Sequence, residues 1–244
     1  VHGLWFGAWS LAPLARRLAR SGLPVRRFAY RSTQRGLDEH AERLHRFVKR
    51  SSCAQRHFVG HSLGGMVTIQ TASDHGDRLR GAVLVDTPVR RPDPESEEGA
   101  RGRAFRSPGA YPDIDSALRH FRLVPPQPCA NGYIVEHIAR NSLCEKGDGW
   151  TWKFDPGLFK HTLIPLRDQL ATVKCRVALF RGEFSVTVPP DTAAYMYELM
   201  DRAAPVVTIP AAHHHLMLDQ PLAFVAALRT LLADWEHSVP RRRY

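Results

Sequence analysis

Ser62 stands in Gly60-His61-Ser62-Leu63-Gly64, which matches G-x-S-x-G. A hydroxyl can serve as a nucleophile when a sharp strand-to-helix turn exposes it, and such a turn tolerates only small residues two positions on either side. A helix that follows directs its first N–H groups toward developing negative charge. The N–H of Leu63, immediately after the serine, is then a candidate oxyanion donor. The bland alternative is a glycine-rich turn whose serine caps a helix. A serine nucleophile also needs a base, and His213, His214 and His215 offer three imidazoles in a row. An imidazole suits that task because its ordinary pKa of about 6.5 lets it accept and return a proton near neutrality. Three histidines also invite a metal reading. Side chains of consecutive residues are expected to diverge, and no carboxylate or cysteine lies at ligand spacing, so no metal is expected.

The elements needed to position these groups can be read from the surrounding pattern. Short apolar runs alternate with amphipathic stretches. Helices are expected at Ser10 to Arg20, with Ser10 as N-cap, and at Leu37 to Arg50. Strands are expected at Pro24 to Tyr30, His57 to Gly60 and Ala82 to Val85. The strand at His57 runs into the serine motif, and Met66 to Ser73 continues as helix. Alternating strands and helices imply crossover units and a parallel sheet covered on both faces. Composition changes after Pro88. Arg90 to Pro108 is charged and rich in Pro and Gly, helical patterns follow at Ile114 to Leu123 and Tyr133 to Ser142, and then come Trp150, Trp152 and Phe154. The segment 89–160 therefore reads as an inserted helical cap, and 1–88 with 161–244 as the core. The alternation resumes with a helix at Leu163 to Leu170, a strand at Arg176 to Arg181, a helix at Asp191 to Ala203, a strand at Val206 to Ile209 and a final helix at Leu222 to Trp235, where Pro221 sits at a favoured first-turn position.

With these residues in this order, the chain resembles the α/β-hydrolase family, from His2-Gly3 through Gly60-His61-Ser62-Leu63-Gly64-Gly65 to the His214 segment, and most of all the small bacterial members with a helical cap. The resemblance implies an eight-stranded, mostly parallel sheet, a Ser-His-acid triad and an oxyanion hole. It also implies N-terminal strands before His2-Gly3 that this sequence does not show. By resemblance, the residue after His2-Gly3 gives the other oxyanion N–H, Leu4, with Trp5 as the alternate. The family's histidine stands seven residues before a proline, which selects His214 ahead of Pro221; His213 occupies the usual glycine position and leaves a one-residue ambiguity. The family's common acid position follows a strand as Gly-x-x-Asp. Here it reads Gly182-Glu183-Phe184-Ser185, so a serine stands where the Asp is expected. Two substitutes remain open. Asp86 ends the strand Ala82 to Val85, where some members carry the acid, although Asp also ends such strands simply by bonding turn amides. Glu183 lies two residues before the vacant position.

The resemblance implies a serine hydrolase acting on a carboxylic ester or related small acyl substrate, without a cofactor. Epoxide hydrolases and haloalkane dehalogenases share the fold but use an Asp nucleophile, which Ser62 argues against. Trp5, Trp150 and Trp152 are candidate apolar walls for the acyl group; the cap tryptophans could equally anchor the cap. The vacancy at Ser185 keeps open a ligand-binding or signalling protein on the same fold.

Composition bounds the remaining classes. The 244 residues are 43% hydrophobic and 24% charged, which suits a globular chain with a sizeable core. No apolar run approaches the ~20 residues of a membrane span. The formal charge is +10, and of the 34 basic residues only Lys49, Lys146, Lys153, Lys160 and Lys174 are lysines. The arginines are spread along the chain with no nucleic-acid-binding module, so no nucleic-acid partner is expected. Cys53, Cys129, Cys144 and Cys175 show no paired spacing, which reads as reduced thiols in a cytoplasmic setting.

Overall fold

The computed structural model describes residues 1–2, 8–30, 37–50, 56–92, 109–153 and 166–238. Its centre is a parallel sheet of β1 (His57–His61), β2 (Gly81–Val85), β5 (Arg176–Gly182) and β6 (Val206–Ile209), in the order β1-β2-β5-β6. Every residue of β2 is buried, as expected for an inner parallel strand covered on both faces. Strand alternation divides its side chains between two cores. Ala82 and Leu84 join Val177 and Leu179 against α3 (Leu63–His75), α2 (Leu37–Lys49), α6 (Arg167–Ala171) and α7 (Pro190–Leu199). Val83 and Val85 join Ala178 and Phe180 against α9 (Pro221–His237) and Leu18 of α1 (Ala12–Arg20). Phe180 meets Phe224 edge-on at 5.8 Å between ring centroids.

The segment between β2 and β5, expected to form a helical cap, contains α4 (Ile114–Arg119) and α5 (Gly132–Asn141). Asp113 caps α4 by accepting the Ser116 N–H at 2.6 Å and the Ser116 hydroxyl at 3.0 Å. The cap is not wholly helical. The aromatic stretch forms an antiparallel hairpin, β3 (Leu143–Lys146) with β4 (Gly149–Trp152). Trp150-Thr151-Trp152 alternates with period two, and Gly147 takes φ +60° in the tight turn, so both strand and turn signals lie in the sequence. The Trp152 ring packs against Phe121 at 5.3 Å and Tyr111 at 6.2 Å, and the Trp150 main chain bridges to Tyr111.

Several local expectations are corrected. Residues 23–30 form no strand. Among the described residues no ladder partner flanks them: the Tyr30 N–H meets His2 Nε2 at 3.5 Å, and its hydroxyl donates to the His2 carbonyl at 2.9 Å. Phe28 and Tyr30 of that run are buried in the core, and half-buried Leu23 packs against it. Ser10 is not an N-cap; it lies in a 3₁₀ turn, and α1 starts at Ala12, where Pro13 fits the first turn. The helix expected at Leu163 to Leu170 begins at Arg167, and residues 163–165 lie outside the described residues, as do Leu4, Trp5 and Phe154. Among the described residues no helix is long and apolar enough to cross a membrane, and Cys129, Cys144 and Cys175 are free thiols.

Because Phe180 is fully buried between sheet and helix, truncation there leaves a cavity the surroundings cannot close. Phe180→Ala should lower the unfolding free energy by about 3–5 kcal/mol, measured by urea denaturation.

Candidate active site

The candidate serine, histidines and carboxylates lie where sheet strands end. Ser62 follows β1, Asp86 follows β2, Glu183 to Ser185 follow β5, and His213 to His215 lie in the loop after β6. That end is where open parallel sheets place ligand sites.

Ser62 occupies φ 54°, ψ −123°, immediately before α3. Such a backbone state costs on the order of 1–3 kcal/mol outside glycine and persists only where its surroundings impose it. Those surroundings are visible. The Ser62 N–H donates to the Val85 carbonyl at 3.0 Å, and the Ser62 carbonyl accepts from Gly65 N at 2.9 Å and from the Thr87 hydroxyl at 3.2 Å. The flanking glycines follow from close approach. A methyl at Gly60 would strike the Gly64 carbonyl and the Thr68 hydroxyl, and one at Gly64 would strike the main chain of Val1 and His2. Ser62 therefore sits on a sharp elbow rather than serving as a helix cap: its side chain makes no cap hydrogen bond.

The buried partner of His214 is Asp86. Its Oδ1 lies 2.9 Å from His214 Nδ1, with the two side chains 0% and 3% exposed. Asp86 Oδ2 accepts from Gly182 N at 2.8 Å, and Oδ1 also accepts from the Ser185 hydroxyl at 2.5 Å. A carboxylate oxygen facing a ring nitrogen accepts, so Nδ1 of His214 is the donor in this pair. Glu183 is turned elsewhere: its Oε2 accepts from Ala211 N at 2.8 Å. The neighbouring histidine has other partners. His213 Nδ1 lies 3.4 Å from Asp219 Oδ2, and its ring lies against Phe184.

The main chain around His214 is gripped from three directions. His61 Nε2 lies 3.2 Å from the His214 carbonyl and donates to it. The His213 N–H donates to Asp219 Oδ2 at 2.8 Å, and the His215 N–H donates to Gln127 Oε1 at 2.9 Å. Gln127 belongs to the cap segment and also donates through Nε2 to both Asp219 carboxylate oxygens, at 3.1 and 3.0 Å. Asn131, next to α5, adds a bond from Nδ2 to the Leu218 carbonyl at 2.7 Å. Gln127, Asn131, Asp219, Thr87 and Ser185 are absent from the sequence-derived site, since each acts through a fold contact that no local motif encodes.

His214 and His215 do not diverge as expected, whereas His213 does. The rings of His214 and His215 are 4.7 Å apart, and the rings of His61 and His214 are 4.8 Å apart. One ring nitrogen from each of the three falls within 4.8 Å of the others. That spread exceeds the roughly 3.4 Å between nitrogens of a tetrahedral zinc site, and two nitrogens of the group are engaged by Asp86 and by the His214 carbonyl. Burial foremost, then the adjacent His214, holds the imidazoles of His61 and His215 well below the ordinary histidine range, so both are neutral near pH 7. Unfolding returns each to about 6.5. The folded chain therefore binds fewer protons than the unfolded chain below that pH. Stability from these rings is full above about pH 6.5 and is lost as pH falls from there through their lowered folded-state values. Urea midpoints should drop between about pH 7.5 and pH 5.5, and His215→Gln should shrink that drop.

The family model described as the alpha/beta hydrolase family matches residues 1–228. No curated protein sequence matches the chain. Solved structures share its fold. E-2-(acetamidomethylene)succinate hydrolase superposes with a TM-score of 0.75 at 20% identity, over 95% of this chain and 89% of that one. The thioesterase domain from the curacin biosynthetic pathway gives 0.72 at 17% identity, over 95% and 88%. The monoacylglycerol lipase of Paleococcus ferrophilus gives 0.67 at 19% identity, over 98% and 93%. At these identities the structures speak for the fold, while the family model spans nearly the whole sequence, serine elbow included. The chain belongs to the alpha/beta hydrolase family.

Proposed function

We propose that this chain is a serine hydrolase that cleaves a carboxylic ester or a related small acyl compound through an acyl-enzyme. The observation that carries this reading is the buried hydrogen bond between Asp86 Oδ1 and His214 Nδ1. It leaves Nε2 of His214 as the free base, on a loop at the same end of the sheet as the Ser62 elbow. In this reading Ser62 Oγ attacks the acyl carbonyl as His214 Nε2 takes its proton. Asp86 stabilises the resulting imidazolium and stays ionised itself. The tetrahedral oxyanion is held by the N–H of Leu63, at the start of α3, and by the N–H of Leu4. His214 then passes its proton to the leaving alcohol, and water attacks the acyl-enzyme with the same imidazole as base. Trp5, Trp150 and Trp152 are assigned to the apolar wall beside the acyl group. The thioesterase, lipase and hydrolase activities in the names of the similar structures are all acyl or related hydrolytic chemistry, which supports the choice of reaction class. A purely ligand-binding role drew its support from the missing carboxylate at position 185, and Asp86 supplies a carboxylate to the imidazole from a different strand.

A fluorophosphonate probe should label the wild-type protein at Ser62 and leave Ser62→Ala unlabelled, with parallel loss of p-nitrophenyl ester turnover. Label without turnover across a panel of acyl substrates would favour the binding role instead. Asp86→Asn should reduce kcat by about 10⁴-fold by presenting the wrong tautomer of His214. Glu183→Gln should stay close to wild type, and the reverse ranking would move the acid to Glu183.

A further inference from the structure

Ser185 stands in the place where the related Gly-x-x-Asp pattern puts the acid, yet it is not a bystander. It is 5% exposed and bonds on all sides. Its Oγ accepts from Thr187 N at 3.1 Å and from Val188 N at 3.0 Å. A hydroxyl has one proton and two lone pairs. With both lone pairs taken by main-chain N–H groups, the proton goes to the partner that can only accept, Asp86 Oδ1 at 2.5 Å. The oxygen that receives the Ser185 proton is the same one that faces His214 Nδ1.

Two consequences follow from that shared oxygen. The first is geometric. Gly182 N holds Oδ2 and Ser185 holds Oδ1, so the carboxylate cannot rotate about its last bond without losing one of them. The second is electrostatic. A donor that stabilises the carboxylate charge weakens the attraction the same oxygen exerts on an imidazolium. We propose that Ser185 is a positioning residue for the reaction, one that orients the Asp86 carboxylate and limits how strongly it raises the proton affinity of His214. This rests on the reading of Asp86 and His214 as acid and base.

Among the described residues, other charged or titratable groups also lie near His214, and the ring of His213 is turned to Asp219 and Phe184. His61, at the end of β1, and His215, next in the chain, are kept neutral by burial. Asp219 of the following short helix is engaged by the His213 N–H and by Gln127. Glu183 is bonded to Ala211 N, and the Arg181 guanidinium is bonded to the carbonyls of Val188 and Glu183. Ser185 is thus the side-chain donor that shares the Asp86 oxygen with the imidazole.

The test compares Ser185→Ala and Ser185→Thr with wild type, each first checked for a cooperative thermal transition. Ser185→Ala should lower kcat for a p-nitrophenyl ester by about 5- to 20-fold with KM little changed, from the loss of one hydrogen bond to a charged group. The acid limb of its kcat/KM profile should move upward by about half a unit to one unit, because a less shielded Asp86 holds the imidazolium more tightly. Ser185→Thr keeps the hydroxyl and should restore both. The His214 ring, followed by NMR in a Ser62→Ala background, should titrate at higher pH when Ser185→Ala is added, a readout that needs no turnover. It therefore remains decisive even if wild type cleaves no ester and the hydrolase reading fails. If Ser185→Ala folds poorly, Ser185→Cys, a weaker donor, should show the same upward shift at smaller size. An unchanged His214 titration and acid limb in a folded variant lacking the hydroxyl would overturn the proposal and leave Ser185 as a turn residue.

Discussion

The site depends on one buried carboxylate. Asp86 is fully removed from solvent, and a buried ionised group persists only where hydrogen-bond donors replace the water it has lost. Here the donors are Gly182 N, the Ser185 hydroxyl and His214 Nδ1. They come from the ends of two further strands, so the parallel alignment of β2, β5 and β6 is a requirement of the charge as much as a product of the core. Asp86 itself takes φ 46°, a state that Asp tolerates better than most residues, and its N–H donates to the Phe180 carbonyl at 2.7 Å. Main-chain strain and side-chain charge are thus fixed at one residue by the same neighbouring strand.

A comparable constraint operates at the elbow one strand away. Its sharp turn brings α3 so close to β1 and to the start of the chain that side chains at Gly60 and Gly64 are excluded. Thr87, immediately after Asp86, ties the Ser62 carbonyl in place. Ser62 and Asp86 are held in a single unit of main-chain bonds, since the Ser62 N–H also donates to the last carbonyl of β2. Small displacements of one strand end would therefore be felt at both.

Much of this was legible in the sequence, for identifiable reasons. The elbow announces itself because its sterics admit few residues, and β2 because a strand covered on both faces must be apolar throughout. His214 is found by its distance from Pro221, which starts the last helix. The choice between Asp86 and Glu183 was not legible. Both follow strands, and only the three-dimensional crossing shows that one faces the imidazole and the other caps a loop amide. Residues 23–30 carry a strand-like pattern but have no ladder partner among the described residues, a tertiary matter that local propensity cannot express. The hairpin at Trp150 has its signals in the sequence, in the period-two alternation and the Gly147 turn, but they are brief and lie beside longer helical patterns. Ser185 looked like a gap because its contribution is a proton donated to another residue.

The grip of Gln127 and Asn131 on the loop that carries His214 reaches further than local order. Those two amides hang from the cap, whereas the loop hangs from the sheet. The seating of the segment that carries Gln127 and Asn131 is therefore tied to the position of the N–H beside the imidazole and of the Leu218 carbonyl.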